Sequence, residues 1–301
     1  MNKGFFKNIE WPTVILIGFT YASWLSLALW GGDLNPLLWV GLMALLTTLY
    51  WSIVHEVVHN HPTRNVLVNH ALVYLPLGWV YALGRFGEGH LQHHATGELA
   101  DPFDDPESWY LAQRDWNTLS PWSKKLLTIN NTLAGRMIIG PLITLWRMVV
   151  GDLTLVIKGG DAGRRAALAW LIHVPGVALL AWLLARYSQV PAWQFAAAAY
   201  LGISILLIRT FLEHQASPSQ GARTVLIEDN GLLAFLFLYN NLHVVHHTRP
   251  GLAWYRLPGF YKRHRANFHR RNNGYVYASY WEIFRRYFLK AKEPVAHPYA
   301  L

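Results

Sequence analysis

The sequence predicts an all-α membrane protein: four transmembrane helices in two pairs, with a cytoplasmic helical cap that carries three histidine-rich runs. Three observations support this prediction. The chain is 53% hydrophobic, only 14% of its 301 residues are charged, and long uncharged runs alternate with basic stretches. Charged residues normally make up about a quarter of a soluble globular chain. The uneven distribution of charge therefore indicates membrane helices rather than one large soluble core.

The first two uncharged runs predict the first pair of transmembrane helices, at about 11–32 and 34–54. Each run is long enough to cross a bilayer, since about 20 helical residues suffice. The first run is also too long for the apolar part of a signal peptide, so we expect it to be retained. The second run ends at His55, where the first histidine run begins.

Two further apolar stretches, at about 66–84 and 137–157, are interrupted by Pro76 in the first and by Arg147 and Asp152 in the second. If 66–84 crossed the membrane, the first two histidine runs would lie on opposite sides. We therefore predict that 66–84 forms a helical hairpin or an interfacial pair that turns back. The charges in 137–157 predict helices that lie in the membrane interface.

The second pair of transmembrane helices is predicted at about 166–185 and 190–208. Most Lys and Arg residues lie in 55–165 and 209–301, on one side of the predicted spans. Because positive charge is enriched in cytoplasmic loops, the histidine runs and both termini are predicted to be cytoplasmic. Without an internal repeat or a flexible linker, we treat residues 1–301 as a single domain.

Charge and cysteine content limit which metal ligands and which binding partners the chain can have. The chain contains no cysteine, so any metal must use nitrogen and oxygen ligands. The net charge is +9, but the basic residues flank apolar runs, which argues against nucleic acid binding. The most basic stretch, 249–292, has two open interpretations: an anchor on anionic lipid or a docking face for an acidic electron carrier.

Eight of the fifteen histidines fall in three short runs, and on a helix positions i, i+3 and i+4 share one face. The imidazoles of each run therefore point towards one place, and imidazole is a common ligand of iron, copper, nickel and zinc. Eight donors exceed what one tetrahedral zinc uses, so the count indicates two metals. The runs are His55-Glu-Val-Val-His59, His90-Leu-Gln-His93-His94 and His243-Val-Val-His246-His247.

The first run also fits the H-E-x-x-H pattern of a zinc protease helix, in which Glu56 would be the base and His55 and His59 the zinc ligands. A zinc intramembrane protease is therefore an alternative from a different class. The two H-x-x-H-H runs have no role in that mechanism, and this favours the two-metal interpretation.

The order of the three runs around paired membrane helices resembles the integral-membrane fatty acid desaturase superfamily, most closely its bacterial acyl desaturases. The resemblance extends from about Trp11 to Tyr261. Longer strings strengthen it: His59-Asn-His-Pro-Thr-Arg-Asn65, the acidic segment after the second run, Asn240-Asn-Leu before the third, and Arg209-Thr-Phe-Leu-Glu-His214.

The resemblance implies a non-haem diiron centre, and His214 occupies the position of a further ligand. Carboxylates and amides around the ligands are expected to orient the histidines. Each would accept a hydrogen bond from the ring nitrogen that does not bind the metal. The implied iron ligands are His55, His59, His90, His93, His94, His214, His243, His246 and His247. The candidates for the outer positions are Glu56, Asp101, Glu213, Asn240 and Asn241.

The function that the resemblance implies is an O2-dependent oxidoreductase that introduces a double bond into a fatty acyl chain of a lipid or a thioester. Alternatives within the superfamily are an acyl or alkane hydroxylase, a terminal-alkene-forming enzyme and a carotenoid oxygenase. The implied partners are membrane lipid and a separate ferredoxin or small cytochrome as electron donor. A bacterial inner membrane is the expected location.

Overall fold

The computed structural model describes residues 9–299, and its regular structure is almost entirely helical. The predicted placement of the two termini involves residues 1–8 and 300–301, which lie outside the described residues. The helices are α1 Trp11–Trp30, α2 Pro36–Val58, α3 Val66–Leu72, α4 Leu83–Ala95, α5 Gln113–Thr118, α6 Pro121–Asn130, α7 Leu133–Ile138, α8 Gly140–Lys158, α9 Gly160–Tyr187, α10 Ala192–Thr210, α11 Leu232–Leu236, α12 His243–Thr248, α13 Leu257–Arg271 and α14 Tyr280–Tyr287. Two short strands, β1 Leu226–Ile227 and β2 Val276–Tyr277, pair in parallel.

The described chain divides into two compact units, and each is described by itself. Unit 1 comprises the residues up to Glu88 together with Thr144–Ile205. Unit 2 comprises Gly89–Ile143 and the residues from Leu206 onwards. Helices α4, α8 and α10 each contribute residues to both units. The treatment of residues 1–301 as a single domain stays a prediction.

Five helices, α1, α2, α8, α9 and α10, are long and apolar enough to cross a membrane. Four of them lie at the four spans predicted from the sequence. The fifth is α8, in the stretch 137–157 that was predicted to form helices in the membrane interface; that location stays a prediction. Gly140–Lys158 forms one continuous helix of 19 residues. The count of four spans is therefore not confirmed.

Contacts of Asp152 explain why a charged residue does not interrupt α8. Its carboxylate accepts hydrogen bonds from Arg85 Nε and from Trp170 Nε1, each at 2.8 Å. Because a paired carboxylate needs no water, Asp152 can lie buried on an apolar helix. The chain then turns into α9 through Gly159 and Gly160, whose φ angles of +74° and +70° favour glycine.

Helices α1 and α2 pack through buried tryptophans that also make hydrogen bonds. The indole N–H of Trp24 donates a hydrogen bond to the hydroxyl oxygen of Thr47 at 3.3 Å, and that of Trp39 donates to the carbonyl of Leu27 at 3.0 Å. Both tryptophans are fully buried. Helix α2 begins where the side chain of Asn35 accepts hydrogen bonds from two backbone N–H groups, as an N-cap residue does. This packing fixes the helix whose last turn carries His55.

The segment 66–84 contains a helix of only seven residues, α3, followed by an irregular stretch that leads into α4. A seven-residue helix is about 10 Å long, far short of the bilayer core of about 30 Å. Two tyrosines of unit 1 bind the irregular stretch. Tyr21 donates to the carbonyl of Leu75 at 2.7 Å, and Tyr50 donates to that of Val73 at 3.2 Å.

The apolar core of unit 2 joins α12 to α13. Val244 and Val245 of α12 pack with Leu257, Tyr261 and Phe268 of α13 in one buried cluster. Since α12 also carries the third histidine run, this packing holds the back of that helix against α13.

Residues 292–297, which we call the strap, pair with two distant segments of unit 2. The backbone N–H of Lys292 donates to the carbonyl of Asn131 at 3.0 Å. Leu111 donates to Val295 at 3.0 Å and accepts from His297 at 2.8 Å. The Lys292 ammonium also donates to the carbonyl of His214 at 3.2 Å. The strap therefore joins the segment after the acidic loop to the segment that carries His214.

Candidate metal centre

The three histidine runs lie on helices, as their spacing predicts. His55 lies in the last turn of α2, and His59 is the residue that ends this helix. Helix α4 carries the second run and α12 carries the third. His214 follows α10 and pairs with Thr224 in an isolated antiparallel bridge.

Four histidines of unit 2, namely His93, His214, His243 and His247, place one ring nitrogen each within 4.8 Å of the others. The Nε2 atom of His214 lies 3.0 Å from Nε2 of His93 and 3.1 Å from Nε2 of His243. His247 Nε2 lies 3.1 Å from His243 Nε2. Two ligands at right angles around one cation, each about 2.1 Å from it, lie about 3.0 Å apart. These spacings therefore suit a single bound metal ion.

The hydrogen-bond partners of the Nδ1 atoms support the same conclusion. His93 donates its Nδ1–H to Asp105 Oδ1 at 2.7 Å, and His243 donates its Nδ1–H to Asn240 Oδ1 at 3.0 Å. When these rings are neutral, each has one N–H, so its Nε2 carries a lone pair. Both lone pairs face the same cluster of nitrogens. A cation at that point would attract these lone pairs.

His90, His94 and His246 form a second group within unit 2, with ligand nitrogens within 4.8 Å of one another. Nε2 of His246 lies 3.0 Å from Nε2 of His94. Nδ1 of His90 lies 2.8 Å from Glu107 Oε1, so the carboxylate orients this ring as Asp105 orients His93. The remaining pair, His55 and His59, lies in unit 1, with ring centroids 4.9 Å apart.

Burial lowers the pKa of His94, His214, His243 and His247 and so keeps these rings neutral, which metal binding requires. Burial lowers the pKa of His94 to about 3, and neighbouring His90 and His93 add to the effect. Burial also lowers the pKa of His214 and His247 well below the usual range, again with help from adjacent histidines. Neutral imidazoles have a lone pair that can bind a metal at neutral pH.

His93 differs because two carboxylates lie beside it. Burial lowers the pKa of His93, but Glu107 and Asp105 outweigh that effect and raise the pKa to about 9. In turn, burial raises the pKa of Glu107, but His90 and His93 outweigh it and hold this pKa far below its ordinary value. The acidic groups thus stabilise positive charge at this place, whether it is a proton or a metal ion.

Two of the residues predicted to orient the histidines, Asn240 and Glu213, lie beside a histidine ring of the cluster in their own unit. Asn240 contacts His243 as described above. Glu213 Oε1 lies 3.7 Å from His243 Nδ1 and 2.9 Å from Arg209 Nε. Burial raises the pKa of Glu213, although Arg209 opposes this effect. In unit 1, Glu56 lies 3.8 Å from Nδ1 of His55, beyond hydrogen-bond distance.

Asp101 and Asn241 have other contacts. Asp101 Oδ1 accepts hydrogen bonds from the backbone N–H groups of Phe103 and Asp104 and so shapes the acidic loop. The amide of Asn241 donates to the carbonyls of Ile227 and Asp229. Both residues support loops around the ligand helices, and neither has a hydrogen bond to a histidine ring among the described residues.

The sequence interpretation did not propose Glu107, and it did not rank Asp105 among the leading candidates. Both belong to the acidic segment after the second run, which the sequence interpretation had recognised as the most acidic part of 95–165. The acidic composition therefore identified the segment that contains these two carboxylates, but not the two residues themselves. Which carboxylates reach a histidine depends on how the loop turns, and spacing along the chain does not specify this.

Apolar helices long enough to cross a membrane and clusters of imidazole nitrogens suited to a metal ion are the features of a membrane metalloprotein. The fatty acid desaturase family model matches residues 34–279, which is most of the chain. The chain belongs to the fatty acid desaturase family, and this membership makes it an oxidoreductase with a fatty acyl substrate. Among curated proteins, no sequence matches it. The family match leaves the zinc protease alternative without support.

Proposed function

We propose that the protein is a membrane-bound, O2-dependent diiron desaturase that introduces a double bond into a fatty acyl chain. The observation that carries the proposal is the convergence of four Nε2 atoms from His93, His214, His243 and His247 in a chain of the desaturase family. A purely imidazole donor set suits iron and other first-row metals and does not suit calcium or magnesium.

We assign the nine histidines to two irons. His93, His214, His243 and His247 would hold one ion, supported by their nitrogen spacings. His90, His94 and His246 would contribute to the other, and we propose that His55 and His59 complete it because the order of the sequence motifs matches the family. Glu56, Glu213, Asn240, Asp105 and Glu107 are proposed to orient the ligands.

Bound iron would supply the redox chemistry that acid–base groups cannot, namely the reduction of O2 coupled to removal of hydrogen from a methylene. The protein's own residues fix the orientation of the histidine rings. Asp105, Glu107 and Asn240 contact Nδ1 of His93, His90 and His243, which leaves Nε2 of each ring as the nitrogen that would bind an ion. Burial of these rings also excludes water from the site.

The overall reaction balances with an external electron source. One O2, two electrons, two protons and one –CH2–CH2– unit give one –CH=CH– unit and two water molecules. We propose that a separate ferredoxin or small cytochrome supplies the electrons one at a time. The proposed substrate is an acyl group of a lipid or a carrier thioester, which the membrane setting makes accessible.

We propose a bacterial inner membrane as the location, with the histidine runs on the cytoplasmic side. This topology requires that 66–84 turns back without crossing. Single cysteines introduced as Arg64→Cys and Glu88→Cys into this cysteine-free chain test it. Both should react with a membrane-impermeant maleimide from the cytoplasmic side, and labelling from opposite sides would contradict the topology.

Expression in a host that lacks desaturases, followed by mass spectrometry of its lipids, tests the reaction. A loss of two hydrogens from an acyl chain supports desaturation, whereas a gain of one oxygen identifies a hydroxylase. Purified protein should contain about two irons per chain, as the donor count requires. His93→Ala and His246→Ala should abolish the change, whereas His70→Ala, outside the three runs, should retain it.

A further inference from the structure

The exposed side of α13 carries four cations, which we call the α13 cationic face. The surrounding stretch 249–292 has eleven Lys and Arg residues and one Glu. The charge of Arg265 on the same helix is balanced by a carboxylate, because its guanidinium donates hydrogen bonds to both carboxylate oxygens of Glu228, at 2.5 and 2.8 Å. The α13 cationic face consists of Lys262, Arg263, Arg270 and Arg271.

No carboxylate among residues 9–299 forms an ion pair with any of these four cations. Arg270 has a hydrogen bond to the neutral side chain of Asn267. Like charges on one exposed face repel each other and do not stabilise the fold. Such a face is suited to attract a partner of opposite charge, and it does so over distances of about 10 Å at moderate salt.

The inner side of α13 lies against the helix that carries the third histidine run. Leu257, Tyr261 and Phe268 pack against Val244 and Val245 of α12. The axes of packed helices are about 8–10 Å apart. A partner on the α13 cationic face would therefore lie one helix away from His243, His246 and His247, all within unit 2.

The composition of the two basic helices distinguishes a protein partner from a lipid surface. An interfacial helix exposes apolar residues that enter the lipid. The apolar residues of α13 are instead used in packing on α12, and its exposed positions are polar, charged or small. Helix α14 and the residues after it have the opposite character, because Trp281, Phe288 and Leu289 are 69%, 46% and 82% exposed beside Arg285 and Arg286.

We propose that the α13 cationic face is the docking surface for an acidic one-electron carrier protein, whereas the basic residues of α14 lie at the membrane surface. The inference rests on the proposed function. In each docking event the carrier would be oxidised by one electron, which a metal held by the histidine runs would accept. Two such events provide the two electrons of the balanced reaction.

Two matched double variants test the docking surface in nanodiscs of neutral lipid, with an acidic plant-type [2Fe–2S] ferredoxin as the probe. Arg270→Gln/Arg271→Gln and Arg285→Gln/Arg286→Gln remove the same charge from neighbouring arginines near the ends of two helices. The first variant should raise the Kd for ferredoxin about tenfold and weaken its salt dependence. The second should leave the Kd within about twofold.

Equal effects of the two variants, or no ferredoxin binding to the unsubstituted protein at low salt, would overturn the proposal. A lipid role for α13 has its own signature. Nanodiscs with anionic lipid would raise the Tm of the unsubstituted protein, and Arg270→Gln/Arg271→Gln would lose that rise while Arg285→Gln/Arg286→Gln kept it. This outcome would also overturn the proposal.

Turnover with dithionite as the electron source separates this inference from the proposed function. The first double variant should match the unsubstituted protein with dithionite and should be slower with ferredoxin. If the unsubstituted protein bound ferredoxin but converted no acyl chain with either reductant, the proposed function would fail and the docking result would stand.

Discussion

Asp105→Asn tests the geometry of the candidate metal centre most directly, because the two carboxylate oxygens of Asp105 accept three different hydrogen bonds. Oδ1 accepts from His93 Nδ1 at 2.7 Å and from the backbone N–H of Glu107 at 2.9 Å. Oδ2 accepts from the backbone N–H of Ala100 at 2.8 Å. Asparagine has the same shape, but it offers one acceptor oxygen and one NH2 donor in place of two acceptors.

Either orientation of the new amide has a cost. If its NH2 faces Ala100, two buried donors oppose each other, which costs about 1–3 kcal/mol of folding free energy. If its NH2 faces His93, the ring must accept at Nδ1 and carry its proton on Nε2, which then cannot bind a metal. Loss of such an outer contact typically lowers metal affinity about 10–100-fold, equivalent to about 1.4–2.8 kcal/mol.

The assay is iron content per chain after dialysis against a graded series of chelator concentrations, with Tm measured on the same samples. Asp104→Asn, at the exposed neighbouring position, is the matched control and should behave as the unsubstituted protein. Asp101→Asn should also have little effect, since its remaining oxygen can still accept from Phe103 and Asp104. Equal iron affinity in Asp105→Asn and Asp104→Asn would refute the reasoning.

Three further predictions concern metal removal, packing and pH. Chelation should lower the Tm and Fe(II) should restore it, because a ligand that binds only the folded protein stabilises the folded protein. An unchanged Tm would contradict a metal site at His93, His214, His243 and His247. Gly135→Ala should destabilise the protein by about 1–3 kcal/mol in denaturant unfolding, since a Cβ there would lie 1.9 Å from the Ile129 carbonyl oxygen. Gly151→Ala, with no atom within 4 Å, is its control and should not destabilise. Hydrogen bonds from Arg265 lower the pKa of Glu228 to about 2, so its stabilisation is complete above pH about 4.3 and is lost towards pH 2. The Tm difference between unsubstituted protein and Glu228→Gln should shrink accordingly, and a constant difference would count against this pairing.

The histidine motifs allowed the candidate site to be anticipated because helical spacing fixes which side chains share a face. His90, His93 and His94 lie on α4, and His243 lies on α12, as the i, i+3 and i+4 pattern requires. The family was likewise recognisable from these runs. Such local rules are properties of one helix and need no knowledge of tertiary contacts.

Tertiary contacts explain what the sequence interpretation did not anticipate. The charges of Arg147 and Asp152 predicted interfacial helices, and nothing along the chain indicated that Arg85 and Trp170 satisfy the Asp152 carboxylate within one continuous helix α8. Asp101 was ranked above Asp105, although all the acidic residues of this loop look equivalent along the chain. The turn of the loop brings Asp105 to His93, and a turn of this kind depends on partners far away in sequence.

The strap has a consequence for the order in which the protein matures. Leu111 gains its hydrogen bonds to Val295 and His297 only after more than half of the chain has been synthesised beyond it. The segment that follows Asp105 and Glu107 therefore reaches its final contacts after the apolar helices have left the ribosome. Iron would enter a chain that is already in the membrane, and supply of the metal is then a step after translation rather than during it.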